Sequence, residues 1–117
     1  MRGEYDENTG SHLGIDLQGY SGDLVWAADG GIVTYTGYLK TYGNLIIIDH
    51  GNGLYTYYAH LSDYAVKEGD AVSRGRVIGY VGATGTVTNY HLHFEIRRGD
   101  ESVDPLIFLP EIVLHFW

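Results

Sequence analysis

Cysteine is absent from this 117-residue chain, so it contains neither a disulfide framework nor a thiolate metal site. Any metal it holds must be bound by imidazole and carboxylate groups, a donor set that suits zinc. Basic residues are scarce: 7 lysines and arginines stand against 15 aspartates and glutamates, a formal net charge of −8. That balance excludes a nucleic-acid-binding surface, which depends on Lys and Arg neutralising phosphates. It also argues against docking on an anionic membrane. Long apolar runs are missing as well. The longest aliphatic or aromatic stretches, residues 45–48 and 106–109, fall far short of the roughly 20 residues of a membrane span, so no membrane insertion is expected. The opening "MRGEYDENTG" has no apolar core of the kind a secretory signal carries.

Only two prolines are present, against 17 glycines and 11 tyrosines, a composition that goes with short strands and tight turns. Strand-like runs occupy 24–27, 31–38, 44–49, 53–59, 71–72, 77–81, 91–97 and 106–109. Between them lie "ADGG", "HGNG", "KEGD", "SRGR", "GATG" and "RRGD", all turn signals. Asn52-Gly53, set between two apolar runs, is a strong hairpin signature. No segment keeps a helical period; residues 61–66 fit one short helical turn at most. The stretch "VKEGDAVSRGRVIGYVG" puts two glycine turns around a short valine strand, the form of the tight corner in barrel-sandwich folds. One all-β domain spanning 1–117 is therefore expected, without linker or low-complexity segment and long enough to bury its own core.

Against this background the histidines stand out. In "NYHLHFEI", Leu92, Phe94 and Ile96 form an apolar face and His91, His93 and Glu95 the opposite one, the alternation of a half-buried strand. His91 and His93 then project side by side, about 7 Å apart at their bases, and two such imidazoles are poor core filler. In "SHLGIDL", His12 and Asp16 are four residues apart. Fully extended, they would sit about 13 Å from each other, too far to hold one ion; a bend at Gly14 brings them together. His60 ends a strand in "TYYAHLSD" and, taken alone, reads as a turn residue. Together the three segments supply four histidines and one aspartate. Two histidines and a carboxylate with one open position make a catalytic zinc set, and two further histidines suit proton transfer or oxyanion stabilisation. Scattered surface histidines are the competing reading, and spacing alone does not decide between the two.

The segments "HLGIDL", "VWAADGGIVTYTG", "YGNLIIIDHGNGLYTYYAHLS", "VKEGDAVSRGRVIGYVGATGTVTNYHLHFEI" and "VDPLIFL" resemble the lysostaphin-type (LytM-like) zinc metallopeptidases over nearly the whole chain. The specific feature is H-x-x-x-D followed, after a Gly-Ala-Thr-Gly turn, by H-x-H. The resemblance implies an antiparallel barrel-sandwich hybrid (the duplicated hybrid motif) with a substrate groove. It implies one Zn2+ per chain on His12, Asp16 and His93, with His60 and His91 as the catalytic pair. The implied reaction is hydrolysis of peptide bonds in peptidoglycan cross-bridges or stem peptides, in the cell envelope or outside the cell. Which of His60 and His91 deprotonates the water stays open, as does the choice between a glycine bridge and a direct D-amino-acid cross-link. Some relatives of this fold have lost zinc ligands and act as scaffolds or activators of other wall hydrolases. All five positions are intact here, which favours the enzyme. Sugar phosphotransferase carriers share the architecture but need no H-x-x-x-D motif, and biotinyl-type carriers need a hairpin-tip lysine that this chain lacks.

The remaining polar candidates are expected to be structural. His50 falls in a hairpin turn, and His115 lies beyond the family-like end at Leu109 and is assigned nothing. Glu95 either orients an imidazole or pairs with a nearby arginine, the preferred reading. Asn44 and the tyrosines of "LYTYYAH" are read as sheet packing, and the glycines of "GATG" as shaping one wall of the groove. Relatives usually begin with an extra strand and a G-x-R segment, of which Arg2-Gly3 is the remnant here. The start therefore reads as trimmed. A tyrosine near this region contributes to catalysis in some relatives, for which Tyr5 is a candidate, and 110–117 forms an apolar tail beyond the usual end. No wall-binding module is visible, so targeting is expected to come from elsewhere.

Overall fold

Apolar and polar residues alternate along most of the chain, and a backbone patterned with that period satisfies its hydrogen bonds strand to strand. The computed structural model describes residues 3–5, 14–18, 20–85, 91–99 and 101–103, of which 3–5, 14–18, 102 and 103 by backbone alone. Its strands are β1 (Gly3–Tyr5), β2 (Gly14–Gln18), β3 (Leu24–Trp26), β4 (Gly31–Leu39) and β5 (Gly43–Gly51). Then follow β6 (Leu54–Tyr64), β7 (Ala71–Val72), β8 (Val77–Val81), β9 (His91–Arg98) and β10 (Glu101–Val103). Among the described residues there is no helix. Every ladder is antiparallel. The sheet runs β1-β2-β9-β6-β5-β4-β7, with β10 beside β9, and with β8 joining β3 to β6. The expected all-β, antiparallel fold is what forms.

Three features explain how the sheet curls. Asn52 and Gly53 take the left-handed backbone, with φ of 55° and 76°, and close β5 onto β6 as a two-residue hairpin in which Gly51 pairs with Leu54. The glycine-turn segment packs β7 against β4: Val33 N–H donates to the Asp70 carbonyl at 2.9 Å, and Gly69 N–H donates to the Val33 carbonyl at 2.8 Å. Third, β6 changes partners along its length. Its first half pairs with β5 and β9, whereas Leu61, Asp63 and Tyr64 pair with β8. The short helical turn that the sequence allowed at 61–66 does not form, because Leu61 is fully buried and bonded into ladders with both Asn44 and Val81. A helix there would withdraw it from the core and unpair β8.

The apolar faces of β5, β6 and β9 meet in one core containing Ile46, Ile48, Tyr58, Leu61, Leu92, Phe94 and Ile96, joined by Val25, Val33, Ile78 and Val81. Each such side chain contributes about 1.5–3 kcal/mol through burial. One polar chain crosses this region. His50 lies at the end of β5 rather than in the turn where the sequence placed it. Its Nδ1 is 2.7 Å from the Gly30 carbonyl, which only accepts, so Nδ1 carries a proton. In the neutral ring Nε2 accepts from the Thr56 hydroxyl at 2.6 Å. Thr56 in turn accepts from Tyr58 at 2.7 Å, and the Tyr58 oxygen accepts the Ala28 N–H at 3.0 Å. Every donor in the chain has an acceptor, which makes His50 structural, as expected.

The sequence did not anticipate β1 and β10, three residues each, since neither segment shows an apolar alternation. The run at 106–109, the tail 110–117, and His12 and His115 lie outside the described residues.

Candidate active site

With Leu92, Phe94 and Ile96 committed to the core, the pleat of β9 turns His91, His93, Glu95 and Arg97 to its other face. That face is also sheltered: His93 and Glu95 are 1% and 0% exposed. Ala59 on β6 is the register partner of His93, and one residue later β6 bends. The bend is at His60, a non-glycine residue with φ of 64°, a conformation that costs about 1–2 kcal/mol. It is held by the His60 N–H, which donates to the Tyr42 carbonyl at 2.7 Å. The same twist that sends β6 toward β8 turns the His60 ring onto β9. Its centroid lies 5.0 Å from that of His91 and 6.0 Å from that of His93.

The ring of His60 is fixed by a second carbonyl. Its Nδ1 is 2.7 Å from the Thr84 oxygen; that oxygen accepts, so Nδ1 is protonated and the basic nitrogen of the neutral ring is Nε2. Thr84 is itself clamped. Its hydroxyl donates to the Leu61 carbonyl at 2.7 Å and accepts from the Asn44 N–H at 3.1 Å. The Asn44 side-chain amide donates to the same Leu61 oxygen at 2.9 Å and accepts from the Tyr64 hydroxyl at 3.1 Å. This loop reaches so close to β5 because residue 43 is glycine. At its φ of +67°, an added Cβ would lie 2.4 Å from the Thr84 carbonyl carbon. The "GATG" loop therefore does more than shape a wall: it supplies the oxygen that sets the His60 tautomer.

On β9 a second relay sets His93. The His93 Nε2–H donates to Glu95 Oε2 at 2.7 Å. Arg97 donates to Glu95 Oε1 through Nε at 3.0 Å and Nη2 at 2.9 Å. Nη2 also donates to the Tyr42 hydroxyl at 2.7 Å, and the guanidinium carbon sits 4.2 Å from the centre of the Tyr57 ring, a cation–π contact. Glu95 thus does both things the sequence offered it, orienting an imidazole and pairing with an arginine. Burial alone would push its carboxyl up, but the His93 hydrogen bond and charge, with Arg97 behind them, hold it below the usual glutamate value. Tyr42 is shifted the other way: burial, then the neighbouring Glu95 charge, push its hydroxyl well above the usual tyrosine value.

Of the five residues singled out by sequence, His60, His91 and His93 come together here. Asp16 lies on β2 with its Cα directly across the ladder from His93, and Gln18 is likewise opposite His91. His12 and the side chain of Tyr5 lie outside the described residues. Among the described side chains no group of three histidines, aspartates or glutamates is arranged to hold a metal. His93 is the one expected ligand whose ring is described, and its Nε2–carboxylate bond is the orientation that metal-binding histidines use; were His93 a ligand, Nδ1 would be the donor. A His/Asp/His donor set fits zinc. Sequence reasoning did not single out Tyr42, Thr84 or Arg97. "TYG" and "GAT" carry no chemical pattern, and Tyr42 and Thr84 act through partners distant in sequence, whereas Arg97 lies two residues from Glu95 and was foreseen only as a nearby arginine. Of the tyrosines read as packing, Tyr58 is in the core, while Tyr57 lies under Arg97.

The family model described as Peptidase family M23 matches residues 10–105. The DD-carboxypeptidase/endopeptidase Mpg of Neisseria meningitidis serogroup B is 44% identical over 95 residues, 81% of this chain and 22% of that protein. The murein hydrolase activator NlpD of Escherichia coli is 41% identical over 108 residues, 92% of this chain and 28% of that protein. The chain thus spans less than a third of the length of either relative. The catalytic domain of the antimicrobial peptidase lysostaphin from Staphylococcus simulans superposes with a TM-score of 0.80 at 36% identity, over 88% of this chain and 82% of that one. Strands β2 to β10 and all three histidine segments fall within the matched span, and the chain belongs to peptidase family M23.

Proposed function

We propose that this chain is the catalytic domain of a zinc-dependent peptidase that hydrolyses peptide bonds in peptidoglycan, working in the bacterial cell envelope. The observation that carries the reading is the convergence of His60, His91 and His93 on one sheltered face, with two of the three tautomers set by fixed acceptors. His12, Asp16 and His93 would hold the metal. A zinc ion there would supply a Lewis acid and would acidify a bound water. His60, with Nδ1–H tied to Thr84, offers Nε2 to accept a proton from the attacking water. His91, the neighbouring ring, would hydrogen-bond the oxyanion, and His60 would return the proton it took to the leaving amine. The names of two relatives, an endopeptidase and a peptidase, support the same reaction class.

A second reading has its own support. NlpD, named as a murein hydrolase activator, matches more of this chain than Mpg does. One experiment separates the two. The zinc-loaded chain is incubated with purified walls, some with glycine bridges and some with direct D-amino-acid cross-links, and the released ends are identified by mass spectrometry. The peptidase reading expects new amino ends that disappear on chelation. Release only when a separate wall hydrolase is added would establish the activator instead.

A further inference from the structure

The relay behind His93 ends in Arg97, one step beyond Glu95. Arg97 is bound on three sides: by Glu95 Oε1 through two nitrogens, by the Tyr42 hydroxyl, and by the Tyr57 ring beneath it. Such a planar fork, packed on an aromatic face, has one orientation and not several. It pins one oxygen of Glu95, so the other is held against His93 Nε2. Tyr42 closes a loop between the two halves of the site, since its carbonyl holds the His60 N–H while its hydroxyl holds Arg97. Its ring also lies 6.1 Å from that of His93.

We propose that Arg97 is a positioning residue for the metal centre: acting through Glu95, it fixes the ring plane of His93 and the tautomer that presents Nδ1. Tyr42 anchors Arg97 and thereby ties the orientation of His93 to the bend that carries His60. The proposal rests on the reading of His93 as a zinc ligand. Removing Arg97 leaves Glu95 able to rotate, His93 able to exchange tautomers, and the Nδ1 lone pair present only part of the time. Loss of such an outer partner typically lowers metal affinity by about 10–100-fold.

The test uses the full chain and zinc alone, without substrate. Zinc affinity is measured by competition with a chromophoric chelator for the unaltered chain, Arg97→Met, Arg97→Lys and His93→Ala, with Arg98→Met as the control. The His93 tautomer is read in the metal-free protein by long-range proton–nitrogen NMR. Arg97→Met, which keeps bulk over Tyr57 but loses the fork, is expected to weaken zinc by about 10–100-fold and to turn a single Nε2–H tautomer into a mixture. Arg97→Lys restores part of both, and Arg98→Met changes neither. A merely structural role would lower the melting temperature and leave the tautomer alone. If Arg97→Met does not fold, Tyr42→Phe removes only the anchoring hydroxyl and is expected to shift the tautomer in the same direction. Unaltered affinity and a single tautomer in whichever of these variants folds overturn the positioning role. Unaltered affinity in His93→Ala instead overturns the ligand reading on which it stands.

Discussion

Two imidazoles of the site have their protons placed by acceptors that cannot donate in return: the Thr84 carbonyl for His60 and the Glu95 carboxylate for His93. The basic nitrogen is therefore Nε2 in His60 and Nδ1 in His93, and the two rings are set up for different work. His60→Ala is expected to retain zinc while turnover falls about 10²–10⁴-fold, the usual loss on removing a general base; zinc content and hydrolysis rate measured on one preparation check it. At this scale the sequence was legible where chemistry repeats at short spacing. H-x-H on an alternating strand announces its own face, and the core residues Leu92, Phe94 and Ile96 confirm it. Thr84 and Tyr42 were not legible, because what they contribute is a backbone oxygen and a hydroxyl delivered across the fold. No local pattern encodes where such a group ends up.

The strand β6 decides the shape of the site, since its bend at His60 passes the chain from one set of partners to another. The His60 ring at that bend is held by the "GATG" loop pressed on β5, and that contact needs glycine at 43, where a Cβ would meet the Thr84 backbone. Gly43→Ala is expected to cost about 2 kcal/mol or more, from the left-handed dihedral and the backbone clash together. Its melting temperature should fall by roughly 8 °C, and activity should fall with it as Thr84 leaves His60. The β7 corner has a pH-dependent hold. The Lys67 N–H donates to Asp70, and this bond, the largest cause, keeps the Asp70 carboxyl below its usual value. A carboxyl lowered on folding contributes stability above its unfolded value of about 3.9 and loses it as pH falls through the folded one. The stability deficit of Asp70→Asn, measured by denaturant unfolding, should therefore be present at pH 6 and shrink at pH 3. Among the elements, the Asn52-Gly53 hairpin was read correctly because two adjacent left-handed residues leave a compositional mark. The 61–66 segment was left open to a short helical turn, because a β6 that swaps partners presents neither strand alternation nor a clean break.

For the molecule as a whole, the all-β class followed from seventeen glycines, eleven tyrosines and two prolines, which supply turns and strands and little else. The neighbour order β2-β9-β6 did not follow, since a ladder between segments far apart in sequence is chosen by the assembled core. That order sets Asp16 across from His93, so a metal held between them would bridge β2 and β9. Zinc at a hundredfold excess over its Kd should then stabilise the fold by about 2.7 kcal/mol. Chelation should lower the melting temperature and abolish hydrolysis, zinc should restore both, and acid should weaken binding because ligand histidines must be neutral. The most direct test of the account lies within H-x-H: zinc content and wall hydrolysis of His91→Ala and His93→Ala, measured side by side. His93→Ala is expected to lose zinc and activity together, while His91→Ala keeps its zinc and loses turnover. Full activity in both variants, or zinc lost from His91→Ala and kept by His93→Ala, would contradict it.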